Sequence, residues 1–350
     1  MGLELLWYIP NQADPGHRGD DVVDGHNSLG TLTAQALALE RHGWDGALLG
    51  AGWGRPDTFT VATALTARTS TFRPLIAIRP GYWHPANFAA ASATLDHLSG
   101  GRVLVNIVSG RDRTAAYGDT EDDPERRYAR TREFLHVTRR LWTEPDVTFH
   151  GEHYRVTGST LAVRPATPPR LYFGGASAAA ERVAAAEADV QLFWGEPLDD
   201  VAERIDRLRR LSAETGREHA PLEFGLRITT LIRDTTGQAW ADAEARVARM
   251  AAGAIAPNRD IHAGAVGQQR LLDLTARGEV LDGNLYTTPG RYGGGGAATT
   301  WLVGTAAEVA RSLHRYRALG ISHFVLSDTP YLPEIQRQGD QLLPLLRTPG

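Results

Sequence analysis

The segment YFGGAS (172–177) has the spacing of a ligand-binding turn, because an apolar run ends there in two glycines and a serine. Gly174 and Gly175 would let a ligand approach the backbone closely, and Ser177 stands where it would cap a following helix. The N–H groups at the start of a helix favour a phosphate. The pattern indicates a phosphate site, and an ordinary glycine turn with a serine cap is the alternative interpretation.

Two arginines occupy positions that favour an anionic ligand. Arg227 lies within an apolar run, two residues before Thr229, and a buried guanidinium needs an anionic partner or a dense set of acceptors. Arg291 stands in the glycine-rich stretch PGRYGGGGAATT (289–300). A structural ion pair is the alternative for Arg227, and a solvated side chain is the alternative for Arg291.

The histidines do not form a pattern typical of a metal site. His150 and His153 have the spacing of ligands, but the segment TFHGEHYRVTG around them alternates like a β-hairpin, which makes them part of a polar hairpin face. The sequence also contains no H-E-x-x-H motif. We therefore predict no metal.

The scaffold that would position these residues alternates short apolar runs with longer amphipathic stretches. Most of the runs are continuously apolar, which is typical of parallel strands covered by helices. The predicted strands span residues 3–9, 46–50, 73–78, 102–108, 170–174, 190–194, 223–232 and 323–327. The predicted helices span residues 30–43, 57–69, 85–98, 124–143, 177–187, 198–215, 237–252, 305–319 and 331–346.

Eight strands, each followed by a helical pattern, predict an α/β fold, namely a (β/α)₈ TIM barrel that forms a single domain over residues 1–350. A doubly wound open sheet is the alternative, but no G-x-G-x-x-G motif follows the first strand. Three connections are longer than ordinary barrel loops: a polar loop at 111–123, a hairpin insertion at 145–168, and residues 253–300. The last is interpreted as a mobile lid over the barrel mouth, with a surface excursion as the alternative.

Active sites of TIM barrels lie at the carboxyl ends of the strands, so the polar and aromatic residues that end each run are the site candidates. From the first strand to the last they include Gln12, Arg55, Asp57, Arg79, Trp83, His84, Asn106, Ser109, Gly174, Gly175, Ser177, Trp194, Arg227, Thr229 and Thr329. Tyr128, near the start of the predicted helix 124–143, could also reach a ligand.

The composition excludes several function classes. The chain has 350 residues and a net charge of −4. This charge gives no reason to expect binding to nucleic acid or to an anionic membrane. It has no cysteine, and all 37 basic residues are arginine, so thiolate, Schiff-base and P-loop lysine chemistry are impossible. No signal segment and no run of about 18 apolar residues is visible. The expected location is the cytoplasm.

A set of motifs in order along nearly the whole chain resembles the bacterial luciferase-like flavin monooxygenases, and most closely their alkanesulfonate monooxygenase branch. The motifs are WYIP (7–10), RPG (79–81), ATLDHLSGGRVLVNIVSG (93–110), ERRYARTREFL (125–135), GEHYRV (151–156), LYFGGAS (171–177), WGEP (194–197), FGLR (224–227), VGQQR (266–270) and FVLS (324–327).

The resemblance implies a TIM barrel with an insertion that uses reduced FMN (FMNH₂), delivered by a separate NAD(P)H flavin reductase, and O₂ to oxygenate a small substrate. It also implies a homodimer or homotetramer paired through barrel helices. Ser177 would hold the FMN phosphate, and Arg227 and Arg291 match arginines around the anionic substrate and the flavin. The residues expected to contact FMN are Asp57, Arg79, Asn106, Ser109, Tyr128, Gly174, Gly175, Ser177 and Trp194.

The chain departs from the alkanesulfonate branch at four positions. Gln12, Arg55, Thr229 and Thr329 stand where that branch has histidine, cysteine, histidine and tyrosine. The anion-binding arginines are therefore kept while the titratable groups around them are replaced. We expect Gln12, Arg55 and Thr329 to contact the substrate, and Arg55 would suit an extra anionic group. Thr229 is assigned to the catalytic set with Arg227 and Arg291.

Two neighbouring residues could compensate for the replaced groups. His84 is a candidate for proton transfer, because histidine is the side chain most often used for it, and its alternatives are capping the next helix or facing solvent. Trp83 could form a wall of the substrate pocket or simply pack. The expected substrate is an organosulfonate or a related organosulfur compound. The alternative functions are a deazaflavin-dependent oxidoreductase and a barrel that binds flavin or an anion without turnover.

Overall fold

The computed structural model describes residues 2–10, 25–52, 55–109, 114–121, 123–217, 219–252, 266–292 and 299–348. Within these ranges the strands are β1 (Glu4–Ile9), β2 (Gly46–Leu49), β3 (Arg73–Ile78), β4 (Leu104–Val108), β5 (Val147–His150), β6 (Arg155–Ser159), β7 (Arg170–Gly174), β8 (Val190–Trp194), β9 (Glu223–Ile232), β10 (Val280–Leu281), β11 (Leu285–Tyr286), β12 (Trp301–Gly304) and β13 (Ile321–Ser327). The helices are α1 (Leu29–Arg41), α2 (Thr58–Thr66), α3 (Pro85–Ser99), α4 (Pro124–Thr143), α5 (Ala178–Glu187), α6 (Leu198–Glu214), α7 (Thr236–Ala252), α8 (Val266–Arg277), α9 (Ala306–Leu319), α10 (Tyr331–Gln341) and α11 (Leu343–Arg347).

Eight parallel strands close into a barrel in the order β1, β2, β3, β4, β7, β8, β9, β13, with β13 pairing back onto β1. These are the eight strands predicted from the apolar runs, and the predicted TIM barrel is confirmed. The runs are continuously apolar because both faces of each strand are buried. In β1, for example, Leu6 and Tyr8 belong to the apolar cluster inside the barrel, whereas Leu5 and Trp7 belong to the core between barrel and helices.

The barrel is extended by segments that the apolar runs did not predict. Strand β12 lies parallel to the second half of β9, with Trp301 opposite Thr229, and β10 and β11 continue the same sheet. Within the predicted lid 253–300, the structure contains α8, β10, β11 and a 3₁₀ turn (Thr288–Arg291). Residues 253–265 and 293–298 lie outside the described residues, so the lid stays a prediction.

The two other predicted insertions differ in how they are built. Strands β5 and β6 form an antiparallel hairpin within 145–168. Glu133 on α4 fixes the hairpin, because its carboxylate accepts hydrogen bonds from the backbone N–H groups of Glu152, His153 and Tyr154 at 2.9–3.0 Å. In the predicted polar loop 111–123, the described part contains a 3₁₀ turn at Thr114–Tyr117.

No helix in the described ranges combines the length and the apolar character needed to cross a membrane.

A buried polar cluster closes the amino-terminal end of the barrel. His323 lies at its centre, with Nε2 2.7 Å from Glu223 and Nδ1 3.0 Å from the Tyr172 hydroxyl. Burial alone would lower the pKa of His323, but its hydrogen bonds to Glu223 and Glu4 outweigh burial and raise the pKa. The pKa of Glu223 is lowered to about 2, mainly by the hydrogen bond from His323, against the opposing effect of burial. The members of the cluster are Glu4, Arg73, Arg170, Tyr172, Glu223 and His323.

The stability of the protein should therefore depend on pH through His323 and Glu223. The raised pKa of His323 stabilises the fold fully below its unfolded value of 6.5, and this contribution is lost as pH rises through the higher folded value. The lowered pKa of Glu223 stabilises the fold above its unfolded value of 4.5, and this contribution is lost as pH falls towards 2. The cluster is thus most stabilising between pH 4.5 and pH 6.5.

We expect His323→Gln to lower the free energy of unfolding at pH 6 by about 3 kcal/mol, because it removes the buried imidazolium that pairs with both Glu4 and Glu223. The loss should shrink as pH rises above neutrality. Urea unfolding at a series of pH values measures both effects. His97→Gln, which replaces an exposed histidine of α3, is the control and should change neither. An equal loss at pH 6 and pH 9 would show that His323 acts by packing rather than by charge.

Candidate active site

The carboxyl ends of the barrel strands bring polar side chains together at one mouth. Tyr8 and Asn106 continue the inward-facing positions of β1 and β4, and both are more than nine-tenths buried. Arg227 on β9 reaches the same interior, since its guanidinium carbon lies 4.7 Å from the centre of the Tyr8 ring. This geometry places Arg227 at the barrel mouth, and its anion-facing role stays a prediction. It also shows that Tyr8, read in the sequence as part of an apolar run, belongs to the mouth.

Arg55, in the segment after β2, reaches Tyr8 from a second direction. Its Nη1 donates a hydrogen bond of 3.0 Å to the Tyr8 hydroxyl oxygen. Gly50 leaves room for this bond, because a Cβ there would lie 3.0 Å from Arg55 Nη1 and 3.3 Å from the Tyr8 hydroxyl. The phenol of Tyr8 therefore has one guanidinium at its tip and another over its ring face.

Asn106 supplies a buried polar atom that a ligand or a water can satisfy. Its Oδ1 is buried and has no hydrogen-bond partner in the described part of the chain. A buried polar atom without a partner costs about 1–3 kcal/mol, so such atoms in native sites are normally satisfied by a ligand or water. Gly174, at the end of the neighbouring strand β7, leaves open space where a side chain would project.

The turn between β7 and α5 has the geometry that its sequence predicts. Ser177 is the N-cap of α5, and its Oγ accepts a hydrogen bond of 3.2 Å from the Ala180 N–H. Gly175 must be glycine, because a Cβ there would lie 2.5 Å from the Ala180 Cβ. The turn thus combines a glycine-tight backbone with the start of a ten-residue helix, which is a suitable place for a phosphate.

Arg204 on α6 holds this turn in place by a hydrogen bond. The sequence did not identify Arg204 as a site residue. Only 2% of Arg204 is exposed, and its Nη2 donates a hydrogen bond of 3.0 Å to the Gly175 carbonyl. The guanidinium also pairs with Glu181 at 2.9 Å and with Glu196, and it lies over the Phe193 ring. The sequence feature that could have identified Arg204 is its position on the apolar face of α6, which buries Val201, Ile205 and Leu208.

A small pocket lies beside the mouth, at the ends of β3 and β4, and it contains two predicted cofactor residues, Arg79 and Ser109. The Ser109 hydroxyl is 2.7 Å from the Thr131 hydroxyl on α4. Tyr128, one turn earlier on α4, is buried against Phe173 of β7, with the ring centroids 6.5 Å apart. The structure therefore gathers these predicted residues between β3, β4, β7 and α4.

Trp83 and His84 lie away from the mouth. Trp83 packs against Phe59 and Phe88, with ring centroids 5.6 and 5.9 Å apart, so the structure favours packing over the pocket-wall interpretation. His84 is exposed and is the N-cap residue of α3, although its side chain makes no capping hydrogen bond. Its ring lies 5.8 Å from the Tyr154 ring, beside the hairpin. This position fits the solvent-facing alternative.

Asp57 and Thr229 are engaged in local structure. Asp57 caps α2, with Oδ1 accepting hydrogen bonds of 2.8 Å from the N–H and the hydroxyl of Thr60. Thr229 is buried on β9, and its hydroxyl lies 3.3 Å from that of Ser327. Trp194 is half-buried at the end of β8, and its indole Nε1 has no hydrogen-bond partner among the described residues.

Thr329 and Arg291 are the remaining predicted residues that the structure describes. Thr329 has no exposed surface, and its hydroxyl accepts a hydrogen bond of 3.1 Å from Arg246, which also pairs with Asp328 at 2.6 Å. It therefore belongs to a buried ion-pair network, and a substrate contact for it stays a prediction. Arg291 ends a 3₁₀ turn and is exposed. Gln12 lies outside the described residues.

The fold, with its polar mouth at the carboxyl face, defines a TIM-barrel protein with a site of the kind that enzymes of this architecture use. A family model described as luciferase-like monooxygenase matches residues 3–323, which is most of the chain. The chain belongs to the luciferase-like monooxygenase family.

Solved structures share the fold at low sequence identity. A riboflavin lyase with modified FMN and riboflavin is 20% identical with a TM-score of 0.80, over 99% of this chain and 92% of the other. The EDTA monooxygenase of Chelativorans sp. BNC1 is 19% identical with a TM-score of 0.78, over 99% and 94%. An F420-dependent secondary alcohol dehydrogenase is 19% identical with a TM-score of 0.71, over 99% and 100%.

The Arg204 network can be tested by its effect on stability. Arg204→Gln removes the buried guanidinium that pairs with both Glu181 and Glu196 and leaves them only Arg207 and Arg270, so we expect the free energy of unfolding to fall by about 3 kcal/mol. Arg210→Gln, on the exposed face of the same helix, should change it by less than about 0.5 kcal/mol. Urea unfolding of both variants makes the comparison. Equal stability of the two variants would rule out the anchoring role.

Proposed function

We propose that the protein is a two-component flavin-dependent monooxygenase, which uses reduced FMN and O₂ to oxygenate a small anionic substrate such as an organosulfonate or a related organosulfur compound. The observation that carries the proposal is the turn Gly174–Ser177 at the mouth of a luciferase-family barrel, facing the same opening as Arg227. A separate NAD(P)H flavin reductase supplies the reduced FMN. The protein acts as a homodimer or homotetramer.

The residues of the mouth fit a bound FMN. The glycine-tight turn and the start of α5 suit its phosphate, with Ser177 and Gly175 closest to that group. The open space at Gly174 admits a flat or extended ligand, and the buried Oδ1 of Asn106 would gain a donor from it. Arg79 and Ser109 line the adjoining pocket.

When bound, reduced FMN supplies the electrons that activate O₂. The chain contributes positioning and electrostatics. Arg227 holds an anionic group of the substrate at the barrel mouth, since a guanidinium offers several N–H donors in a fixed plane. The apolar layer below, formed by Leu6, Leu48 and Leu75, excludes water from the barrel interior.

A deazaflavin-dependent oxidoreductase is the second candidate. The similarity in fold to an F420-dependent secondary alcohol dehydrogenase favours it, since both chains are covered almost completely. Such an enzyme would transfer hydride and would not need O₂. A binding protein without turnover is the third possibility, and a product formed with any substrate would exclude it.

An anaerobic fluorescence titration separates these functions. The protein should bind reduced FMN more tightly than oxidised FMN and more tightly than reduced F420. Admission of air in a stopped-flow instrument should then give a transient flavin absorbance that differs from those of reduced and oxidised FMN. Tighter binding of F420, or turnover without O₂, would replace the monooxygenase by the deazaflavin enzyme. Binding of neither cofactor would contradict both.

The phosphate site predicts a difference between FMN and riboflavin, which lacks the phosphate. The protein should bind FMN at least about tenfold more tightly than riboflavin. Ser177→Ala should reduce this ratio several-fold, because it removes the hydroxyl at the start of α5. Thr305→Ala is the matched control, since it also removes a helix N-cap, that of α9. A ratio that stays unchanged in Ser177→Ala would place the phosphate elsewhere.

A further inference from the structure

The turn that follows β3, residues 79–82, lines the pocket beside the mouth and also contacts the hairpin β5–β6. Tyr154, just before the second strand of the hairpin, is buried, and its hydroxyl donates a hydrogen bond of 3.1 Å to the Pro80 carbonyl. The same carbonyl accepts a longer hydrogen bond, of 3.4 Å, from the Trp83 N–H. Burial raises the pKa of Tyr154 to about 12, so its hydroxyl keeps its proton and remains a donor at neutral pH.

A bidentate ion pair supports the same turn from α4. Arg130 donates to both carboxylate oxygens of Asp119, at 2.9 and 2.7 Å, and only 5% of the Asp119 side chain is exposed. Gly81 packs directly against this pair, because a Cβ there would lie 2.1 Å from Asp119 Oδ2 and 2.6 Å from Arg130 Nη2. The ion pair therefore limits the space that the turn can occupy.

Three residues from one stretch of α4 support the pocket. Arg130 acts on the turn through its ion pair, and the hydroxyl of the next residue, Thr131, lies 2.7 Å from the Ser109 hydroxyl. Glu133, one turn after Arg130, accepts a hydrogen bond of 3.0 Å from the Tyr154 N–H. The helix thus supports the pocket directly through two side chains and indirectly through the hairpin.

We propose that the hairpin β5–β6 is a positioning element of the flavin site, and that Tyr154 is the residue through which it acts. A 3₁₀ turn as short as Pro80–Tyr82 has weak hydrogen bonds of its own, so its position depends on what packs against it. The turn carries Arg79, which lines the pocket. This inference rests on the proposed function, because it takes the flavin to lie at the mouth beside this pocket.

Amide hydrogen exchange, followed by mass spectrometry, measures the turn directly and needs no flavin. Tyr154→Phe removes the hydroxyl and keeps the ring, so the N–H groups of Tyr82 and Trp83 should exchange about fivefold faster. Glu133→Ala, which removes the carboxylate that holds the hairpin backbone, should have the same effect at the turn. Tyr172→Phe is the matched control, because it removes a buried hydroxyl at the amino-terminal end of the barrel, and it should leave the turn unchanged.

Two results of the exchange experiment would overturn the proposal. One is unchanged exchange at the turn in either hairpin variant, Tyr154→Phe or Glu133→Ala. The other is an equal increase in Tyr172→Phe, since the effect would then come from a general loss of stability. Faster exchange at the turn in the two hairpin variants alone would support it.

The consequence for the site is measured by anaerobic fluorescence titration with reduced flavins. Tyr154→Phe should weaken the binding of reduced FMN and of reduced riboflavin by the same factor, about threefold or more. The ratio of the two affinities should stay at the wild-type value, because the turn that begins α5 at Ser177 is untouched. A fall in that ratio, or an unchanged affinity for both flavins, would overturn the positioning role.

The two measurements separate this inference from the proposed function. A wild-type protein that binds no reduced FMN would refute the monooxygenase, and faster exchange in Tyr154→Phe would still retain the hairpin as the support of the turn. A protein that binds reduced FMN with the same affinity in the wild type and in both hairpin variants would retain the monooxygenase and refute the positioning role.

Discussion

The buried guanidinium of Arg204 makes the contacts on which the turn between β7 and α5 depends. It joins α6 to the carbonyl of Gly175, to Glu181 of α5 and to Glu196 after β8. Glu196 in turn is 3.5 Å from Arg270 of α8, and its backbone carbonyl accepts from the Tyr316 hydroxyl of α9. One cation thus holds the turn after β7 in a fixed relation to four helices. Burial raises the pKa of Glu196, and its arginine partners Arg204 and Arg270 act in the opposite direction.

Charged and polar groups are arranged differently at the two ends of the barrel. At the amino-terminal end, Glu4 and Glu223 meet His323 and the flanking arginines, so the charges are paired within the protein. At the carboxyl end, Asn106 keeps a buried acceptor without a partner in the described residues, and donors gather around Tyr8. The closed end stabilises the fold, and the open end offers groups that a ligand can use. This division is the one expected of TIM-barrel enzymes.

The sequence predicted the barrel well because continuous apolar runs are a direct consequence of strands buried on both faces. It did not predict β12 or α8. β12 has only four residues and is placed by its pairing with β9, and α8 is placed by contacts such as that of Gly267 with Trp194 at the end of β8, and such contacts between distant parts of the chain leave no local pattern. Ser177 and Gly175 could be predicted because a helix cap and a tight turn are formed by residues that are close together in the sequence. Tyr8 could not, because its role arises from Arg55, which is 47 positions away. Trp83 was ambiguous because an aromatic residue after a strand can face either the mouth or the helices.

Part of the attachment of the hairpin β5–β6 to α4 is made through its backbone, beside ring contacts of Phe134 with Tyr154 and of His136 with Phe149. The carboxylate of Glu133 accepts three consecutive backbone N–H groups, and only Gly151 is constrained by it, since a Cβ there would lie 2.4 Å from Glu133 Oε2. Attachment through main-chain atoms places few demands on side-chain identity. The outward residues of the hairpin are therefore free to diverge between homologues, and the hairpin is a position where a foreign peptide could be grafted without disturbing the barrel.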